Sequence, residues 1–384
     1  MRRRAAKWRP ALRRIHFYLG LVSGGVFVLL GLTGSVLVFY PTLDEWLHPQ
    51  LQSATAQAPD FDRALATLRA SYPDKDGPWR LENTGRHGVI PARYYDPPER
   101  AGRAFAPMMV WLSADGTQVL RRDYWGEYAM TFIYDLHYRL LLEEPGAKIV
   151  GYGGLVIVVS LATGVAAWWP RGQMANALRF KPRAARIRRM HDIHKLTGLT
   201  MLPLLLLLTL TGVMLAIPDE SDAVLHAMGM HIDASPTIEP PAIPADAPQL
   251  PPARAIAIAS ESFPGARVAW IETPASAGGY YRLRLQVAGD PSYRFPHSFL
   301  WLDPHSGAVL GLQDARLAAG GTIVNNWLHS LHDGSAAGLT GRLIVCTAGL
   351  LPGLMYLTGL LRWYLRRQRP ARTHRPAIRI GRTV

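Results

Sequence analysis

Four long stretches without Lys, Arg, Asp or Glu dominate this sequence. A helix that crosses a membrane needs roughly 20 consecutive apolar residues, and each stretch is about that long. A hydrophobic content of 49% alone would also suit soluble domains, so the clustering of these residues decides the class. The sequence therefore predicts an α-helical membrane protein with four transmembrane helices. The uncharged stretches are 15–43, 149–170, 196–218 and 343–361.

The distribution of charge predicts the orientation of these helices. Residues 1–14 hold seven Lys or Arg and no acid, 171–195 hold eight and one acid, and 365–384 hold seven and no acid. Short basic flanks remain in the cytoplasm. The connections 44–148 and 219–342 hold 12 basic against 15 acidic and 7 against 12 acidic residues, so we expect them outside. The net charge of +14 is thus a topology signal, and no nucleic-acid partner is predicted.

The predicted organisation alternates helices with external modules. Each external module combines an amphipathic helix, DFDRALATLRASYP or PPARAIAIASESFP, with strand-like runs that end in a hairpin, MMVWLSADGTQVL or SFLWLDPHSGAVLG. The modules are therefore expected to be α+β. The segments are a basic cytoplasmic N-terminus 1–14, helix 15–43, module 44–147, helix 148–170, basic cytoplasmic loop 171–193, helix 194–218, module 219–340, helix 341–364 and basic cytoplasmic tail 365–384.

The two halves of the chain repeat one another. His16 recurs as His194 at an offset of 178, and His137 recurs as His332 at an offset of 195. Between these matches the modules correspond at an offset of 191, so the offset drifts only by loop-sized steps. This pattern indicates a tandem duplication whose copies share one orientation. Equivalent residues should then lie at equal depth around an axis along the membrane normal.

Several motifs resemble the PepSY-associated transmembrane-helix family, from Arg13 to Arg367: RIHFYLGLVSG, DLHYRLLLEEPGAKIVGYGG, ATGVAAWWPRG, IHKLTGL, LHSLHDG, GLTGRLIV and LWLDPHSGAVLG. Within that family the chain is most similar to the inner-membrane ferrisiderophore reductases. The resemblance implies a bacterial inner-membrane oxidoreductase with PepSY-like periplasmic modules. It further implies two b-type haems that pass electrons to a ferric siderophore, so that Fe(II) is released during iron uptake.

Only six of the thirteen histidines belong to pairs matched by the repeat. Haem b needs two imidazoles on opposite sides of the iron, and a twofold axis that brings equivalent histidines together suits this requirement. We therefore predict His16 with His194 as ligands of one haem near the cytoplasm. His137 with His332 are predicted to hold a second haem near the outer face.

Glycines follow the first pair at helical spacing. Gly20 and Gly198 lie four residues after His16 and His194, where a side chain would obstruct a flat macrocycle. Eighteen residues beyond the histidines, about five turns on, Gly34 and Gly212 should line the same stripe and also contact the cofactor. Close packing of helices through small residues is the alternative. Four further histidines are possible replacement ligands: His191, His329, His48 and His226.

The electron donor and the acceptor are both expected to be separate molecules. The basic cytoplasmic segments contain no dinucleotide fingerprint, so electrons must come from a cytoplasmic donor or from quinol. The net-acidic modules would favour a neutral or cationic ferric chelate. Aromatic residues of the modules could contact that chelate, although such residues more often fill a core. They are Tyr94, Tyr95, Trp111, Trp125, Tyr128, Tyr280, Tyr281 and Trp301.

A chain of another class would also fit part of this pattern. The alternatives are a non-redox siderophore or iron transporter, and a membrane-anchored PepSY binding or inhibitory module. Transporters place charged residues or a Pro-centred break within a span. Because Pro203 lies near the start of its helix and Pro352 is the one exception, we expect the spans to be otherwise uninterrupted, which argues against transport.

Overall fold

The computed structural model describes residues 8–52, 58–84, 88–170, 172–241, 247–276 and 278–368. Much of the predicted N-terminal segment and cytoplasmic tail lies outside these residues. The helices are α1 Trp8–Val22, α2 Gly24–Leu37, α3 Tyr40–Leu47, α4 Phe61–Ser71, α5 Ala129–Arg139, α6 Glu143–Trp168, α7 Met174–Leu178, α8 Arg186–Thr200, α9 Leu202–Ala216, α10 Pro218–Ala227, α11 Pro252–Ser262, α12 Gly321–His332, α13 Gly338–Ala348 and α14 Leu351–Arg367. The strands are β1 Trp79–Glu82, β2 Ile90–Tyr94, β3 Met108–Leu112, β4 Val119–Tyr124, β5 Arg267–Glu272, β6 Tyr281–Gln286, β7 Ser298–Leu302 and β8 Val309–Gln313.

Two helical segments of the described chain are long and apolar enough to cross a membrane. They are Glu143–Trp168, which is α6, and Ser335–Arg367, which includes α13 and α14. Two further pairs, α1 with α2 and α8 with α9, pass the same test only when each bent pair is taken as one span. The described residues therefore contain two such spans, or up to four. The chain is a membrane protein, and its helices α6 and α8 begin before the predicted starts at 148 and 194.

The expectation of uninterrupted spans is wrong for the first and third helices. The chain bends by 52° between α1 and α2 and by 62° between α8 and α9. At the first break the Ser23 hydroxyl donates to the Leu19 carbonyl over 2.5 Å, a bond that commonly bends helices. At the second, Pro203 in the first turn of α9 has no N–H with which to continue α8. Because two of the spans are interrupted, the shape of the helices no longer argues against a transporter.

The bends let each broken helix contact both long helices. α1 packs on α6, whereas α2, beyond the bend, packs on α14. In the same way α8 packs on α14 and α9 packs on α6. α2 also passes close to the junction between α13 and α14, since a Cβ atom on Gly31 would collide with the Gly349 carbonyl oxygen. Small residues therefore set the distance between these helices.

The two predicted α+β modules form one continuous antiparallel sheet. Its strand order is β4-β3-β2-β1-β5-β6-β7-β8, so each half contributes four neighbouring strands. The central pair β1–β5 joins the halves, with Leu81 opposite Ile271. Neither β1 nor β5 was among the strand-like runs identified from sequence. The predicted helices are present as α4 and α11, and Asp60 caps α4 by accepting a hydrogen bond from the Arg63 amide over 2.9 Å.

The two faces of this sheet differ in chemistry. Because side chains alternate along a strand, Trp79 and Leu81 of β1 enter the core beneath α4 and α11. Arg80 and Glu82 point to the opposite face, which looks towards α5 and the membrane helices. The polar face thus stands next to the helices that carry the candidate site.

Replacement of Gly31 by Ala tests the close crossing. The added methyl group would meet backbone atoms, which cannot move aside, so we expect the free energy of unfolding to fall by about 1–3 kcal/mol. Gly353→Ala is the matched control, because its Cβ would lie 3.8 Å from Val28 Cγ1, an ordinary contact. Thermal unfolding in detergent, followed by tryptophan fluorescence, measures both. Equal stability of Gly31→Ala and the parent protein would contradict the packing.

Candidate functional site

Two pairs of histidines face each other within the helical region. His16 on α1 and His194 on α8 have ring centroids 6.1 Å apart with an angle of 75° between the planes. We call them the distal pair, because they lie on the helices farther from the sheet. His137 on α5 and His332 on α12 have ring centroids 6.2 Å apart at 51°. They form the sheet-side pair.

Backbone carbonyls hold the distal pair. His16 Nδ1 lies 2.9 Å from the Ser160 carbonyl oxygen of α6, and His194 Nδ1 lies 2.9 Å from the Met355 carbonyl oxygen of α14. A carbonyl oxygen can only accept, so each Nδ1 carries the hydrogen. In a neutral imidazole the other nitrogen, Nε2, then has a free lone pair. Both distal rings are thus in the tautomer that can bind a metal through Nε2.

Threonine hydroxyls hold the two rings of the sheet-side pair through their Nδ1 atoms. Thr33 Oγ1 lies 3.0 Å from His137 Nδ1, and Thr211 Oγ1 lies 3.0 Å from His332 Nδ1. Each hydroxyl already donates its hydrogen to a carbonyl one turn earlier, that of Leu29 at 2.8 Å or of Leu207 at 2.7 Å. The hydroxyls must therefore accept from Nδ1–H. Within the described part of the chain, none of the four Nε2 atoms of the two pairs forms a hydrogen bond.

Gly34 and Gly212 lie against the sheet-side pair. A Cβ atom on Gly34 would be 2.9 Å from His137 Cε1, and one on Gly212 would be 3.0 Å from His332 Cε1. Eighteen residues of helix put each glycine about 27 Å beyond the distal histidine of its own segment, at the level of the other pair. These glycines make room for the sheet-side rings.

Two glycines that the sequence analysis did not select lie beside the distal pair. A Cβ atom on Gly164 would be 2.8 Å from His16 Cε1, and one on Gly359 would be 3.8 Å from His194 Cε1. Each glycine follows a threonine, and the two Thr-Gly dipeptides are related by the repeat offset of 195, so the repeat could have selected them. Contact with a histidine on another helix could not be inferred from it.

The predicted glycines Gly20 and Gly198 do not touch the distal rings. A Cβ atom on Gly20 would meet nothing within 4 Å, and one on Gly198 would meet only Met355 Cε at 3.1 Å. The space beside Gly20 is therefore open.

The four replacement ligands lie in other surroundings. His191 Nδ1 is 3.6 Å from Asp192 Oδ1, and the His329 ring packs 4.9 Å from that of Phe295. His48 Nδ1 lies 2.7 Å from its own helix at the Asp44 carbonyl oxygen, and His226 is exposed. Two of the three pairs matched by the repeat thus face each other, and the third, His48 with His226, has these other surroundings.

A buried ion cluster secures the start of α8. Asp192 is 0% exposed, and its Oδ1 lies 3.1 Å from Arg188 Nε and 3.1 Å from Lys195 Nζ. Lys195 also donates to the Ala177 carbonyl oxygen of α7 over 2.6 Å. Two cations compensate the buried carboxylate, so the cluster fixes the segment that carries His194.

Most of the aromatic residues proposed to contact a chelate are core residues instead. Tyr281 is 1% exposed, its hydroxyl donates to the Leu250 carbonyl oxygen over 2.5 Å, and burial raises its pKa to about 12. Only Tyr95 and Tyr280 of the eight are partly exposed. The alternative, that such residues fill a core, is correct for the other six, although one of them, Trp125, also lines a cavity. The buried six are Tyr94, Trp111, Trp125, Tyr128, Tyr281 and Trp301.

The family can now be stated. A family model described as the PepSY-associated TM region matches residues 13–366. The chain belongs to this family. The family prediction made from the histidine and glycine motifs is thereby confirmed. No curated protein matches the chain.

The arrangement restricts the kind of metal group that this PepSY-associated chain could hold. Among the described residues, no three or more His, Cys, Asp or Glu side chains come together around one point. Each pair offers two imidazole nitrogens and nothing further. A metal bound there would need its remaining ligands from a prosthetic group, which is how a porphyrin holds iron.

Proposed function

We propose that this chain transfers electrons across the bacterial inner membrane through two b-type haems, one at each histidine pair. Its acceptor is a ferric siderophore on the periplasmic side, where reduction releases Fe(II) for uptake. The observation that carries the proposal is the pairing itself: two sets of imidazoles face each other, and every Nδ1–H is anchored.

The spacing of the rings supports ligation of a shared metal. A metal–nitrogen bond to histidine is about 2 Å long, and the ring centre lies about 1 Å behind Nε2. Two imidazoles on opposite sides of one metal therefore have centroids about 6 Å apart. The distal and sheet-side pairs have separations of 6.1 and 6.2 Å.

The surrounding residues would orient the ligands and tune their basicity. A hydrogen bond from Nδ1–H fixes the ring and makes Nε2 a stronger donor to a metal. The Ser160 and Met355 carbonyls supply it for the distal pair, and Thr33 and Thr211 for the sheet-side pair. A haem held between two imidazoles exchanges single electrons.

The correspondence of these anchors supports the duplication. Thr33 and Thr211 are related by the offset of 178, and Ser160 and Met355 by the offset of 195. Four-strand units in each half repeat the same order of elements. The proposed pseudo-twofold axis thus relates both the ligands and the groups that hold them.

The proposed direction of transfer follows from charge. Basic flanks place both termini in the cytoplasm and the sheet in the periplasm. Electrons would enter near the distal pair from a cytoplasmic donor or from quinol, and leave near the sheet-side pair. Hard oxygen ligands favour the higher charge of Fe(III), so one-electron reduction of the chelated substrate weakens its hold on the iron.

A non-redox transporter is the second candidate. The broken spans at Ser23 and Pro203 favour it, because interrupted helices line many transport paths. In that case the histidines would serve as interhelical hydrogen-bond partners. The two functions differ in whether the purified protein contains haem.

Protein purified from haem-replete cells should carry about two six-coordinate b-type haems per chain. His16→Ala should lose the distal haem and His332→Ala the sheet-side haem, because the two belong to different pairs. His231→Ala, whose side chain is 75% exposed, should retain both. Absorption spectra and haem extraction measure this. A colourless parent protein would favour the transporter, and loss of the same haem in both variants would refute the pairing.

Replacement of Thr33 by Val should raise the midpoint potential of the sheet-side haem alone. Loss of the hydrogen bond makes His137 a weaker donor and so disfavours the oxidised state. A hydrogen bond contributes about 1 kcal/mol, so the shift should be on the order of tens of millivolts. Thr33→Ser keeps the hydroxyl and should restore the parent potential in a redox titration. An equal shift in Thr33→Ser would show that the hydroxyl is not responsible.

Reduced protein in oriented vesicles should be reoxidised by ferric siderophore from the sheet side. Membrane-impermeant chelate added to vesicles that expose the sheet should oxidise both haems, whereas vesicles of opposite orientation should stay reduced. Stopped-flow absorbance in the haem bands follows the reaction, and permeabilised vesicles of both orientations are the control. Equal rates in the two orientations would reverse or abolish the proposed direction.

A further inference from the structure

A cavity of about 160 Å³ lies between the polar face of the sheet and α5. Strands β1 and β2 form its roof, and the segment around Phe295 closes one side. Its charged lining consists of four arginines and two carboxylates, an excess of two positive charges. These residues are Arg80, Arg93, Arg139, Arg294, Glu82 and Asp135.

One of the four arginines is held closely by the protein, although its Nε is buried without a hydrogen bond. Arg80 is 6% exposed, and its Nη2 lies 2.8 Å from Glu82 Oε1. Its Nη1 donates to the Tyr95 hydroxyl over 3.0 Å, and its guanidinium lies 3.2 Å from the centre of the Trp270 ring. Glu82 is therefore already used by Arg80.

The other three arginines are less closely paired: Arg93 forms only a long ion pair with Glu82, which Arg80 already holds, and in the described residues neither Arg139 nor Arg294 forms an ion pair. Arg93 Nη2 is 3.8 Å from Glu82, and its Nε is buried without a hydrogen bond. Arg139 lies 5.5 Å from the ring centre of Phe105, and Arg294 lies 4.6 Å from that of Tyr40. These ring contacts leave the guanidinium donors free for an anion.

Neighbouring arginines on the same sheet face are satisfied by the protein. Arg284 in β6 corresponds to Arg93 in β2 at the repeat offset of 191. It donates to the carbonyl oxygens of Pro296 and Phe295. Arg282 Nη2 lies 2.6 Å from Glu272 Oε2. Unpaired guanidinium groups are thus a property of the cavity and not of the whole face. Since Arg93 is mostly buried with only a long ion pair, and the lining holds two more positive than negative charges, the cavity is suited to an anion from outside the chain.

The cavity also adjoins both supports of the sheet-side pair. α5 supplies Asp135 and Arg139 to the lining and carries His137 between them. On the other wall, Phe295 packs 4.9 Å from His329, which precedes His332 by one turn of α12. The cavity and the sheet-side pair therefore share α5 as a support, although Asp135 and Arg139 lie on a different face of that helix from His137.

We propose that this cavity binds a carboxylate, held by Arg93, Arg139 and Arg294. Guanidinium groups bind carboxylates through two parallel hydrogen bonds, which accounts for arginine rather than lysine at these positions. The source of the carboxylate rests on the proposed function: it belongs either to the prosthetic group at the sheet-side pair or to an anionic acceptor from solution. The excess of arginine opposes the preference for a neutral or cationic chelate that the net charge of the modules predicted.

The test uses full-length protein in detergent, with citrate as the probe. Arg93→Met and Arg294→Met remove the anion donors, and Arg316→Met is the control, since Arg316 pairs with Asp314 outside the cavity. If the source is solution, citrate should quench tryptophan fluorescence saturably, because Trp125 lines the cavity. Binding should weaken at least tenfold in Arg93→Met and Arg294→Met and stay unchanged in Arg316→Met.

If the source is the prosthetic group, the parent protein should not bind citrate. Arg93→Met and Arg294→Met should then shift the midpoint potential of the sheet-side haem, or release that haem, while Arg316→Met does neither. Thermal unfolding checks that each variant folds. Because Arg294 is exposed, Arg294→Met should have little effect on stability. Absence of both effects would overturn the proposal. Citrate binding by a protein without haem would support the cavity and refute the electron-transfer function.

Discussion

The hydrogen bond from Nδ1–H of each paired histidine is the constraint on which the helical region depends. An imidazole away from water must satisfy a donor and an acceptor that lie on opposite edges of one ring. The donor requires a carbonyl or a hydroxyl from a neighbouring helix, so α1 must lie close to α6 and α5 close to α2. Gly164 and Gly34 permit that approach. Close helix packing and ligand positioning are therefore two effects of the same glycines.

The bends distribute the two pairs along one chain path. α1 carries His16 of the distal pair, and α2, after a change of direction of 52°, presents Thr33 to the sheet-side pair. A straight helix could not present both residues to these neighbours, because the two contacts are made with different helices. The break at Ser23 is thus part of how the site is built. Each bent helix supports both pairs, so a distortion at one pair can reach the other through a single segment.

The sequence identified the histidines that repeat, but it could not identify residues whose role depends on how the helices are oriented in the fold. The offsets of 178 and 195 selected His16, His194, His137 and His332, and the structure brings each matched pair to a ring separation of 6.1 or 6.2 Å. Gly34 was placed on the stripe of His16 by its 3.6-residue periodicity, which could not identify the histidine on another helix that it contacts. β1 was missed because its four residues are too short a run to reveal a pattern, although Arg80 and Glu82 do alternate with Trp79 and Leu81.

The charges of the modules show why the net charge of a segment does not predict which ligand it binds. The net charge of a module describes the field far from its surface, whereas a ligand in a cavity interacts with the few groups within a Debye length of roughly 8 Å. The cavity draws its roof from β1 and β2, and the second half adds Arg294 and Phe295 at one side. In that half, Arg284 at the position corresponding to Arg93 is bonded to backbone carbonyls. The two histidine pairs are thus nearly symmetric, whereas the two halves of the sheet differ on their polar face. A ligand that approaches this face can meet the guanidinium groups of the cavity next to α5, but the corresponding guanidinium in β6 is already bonded to the backbone.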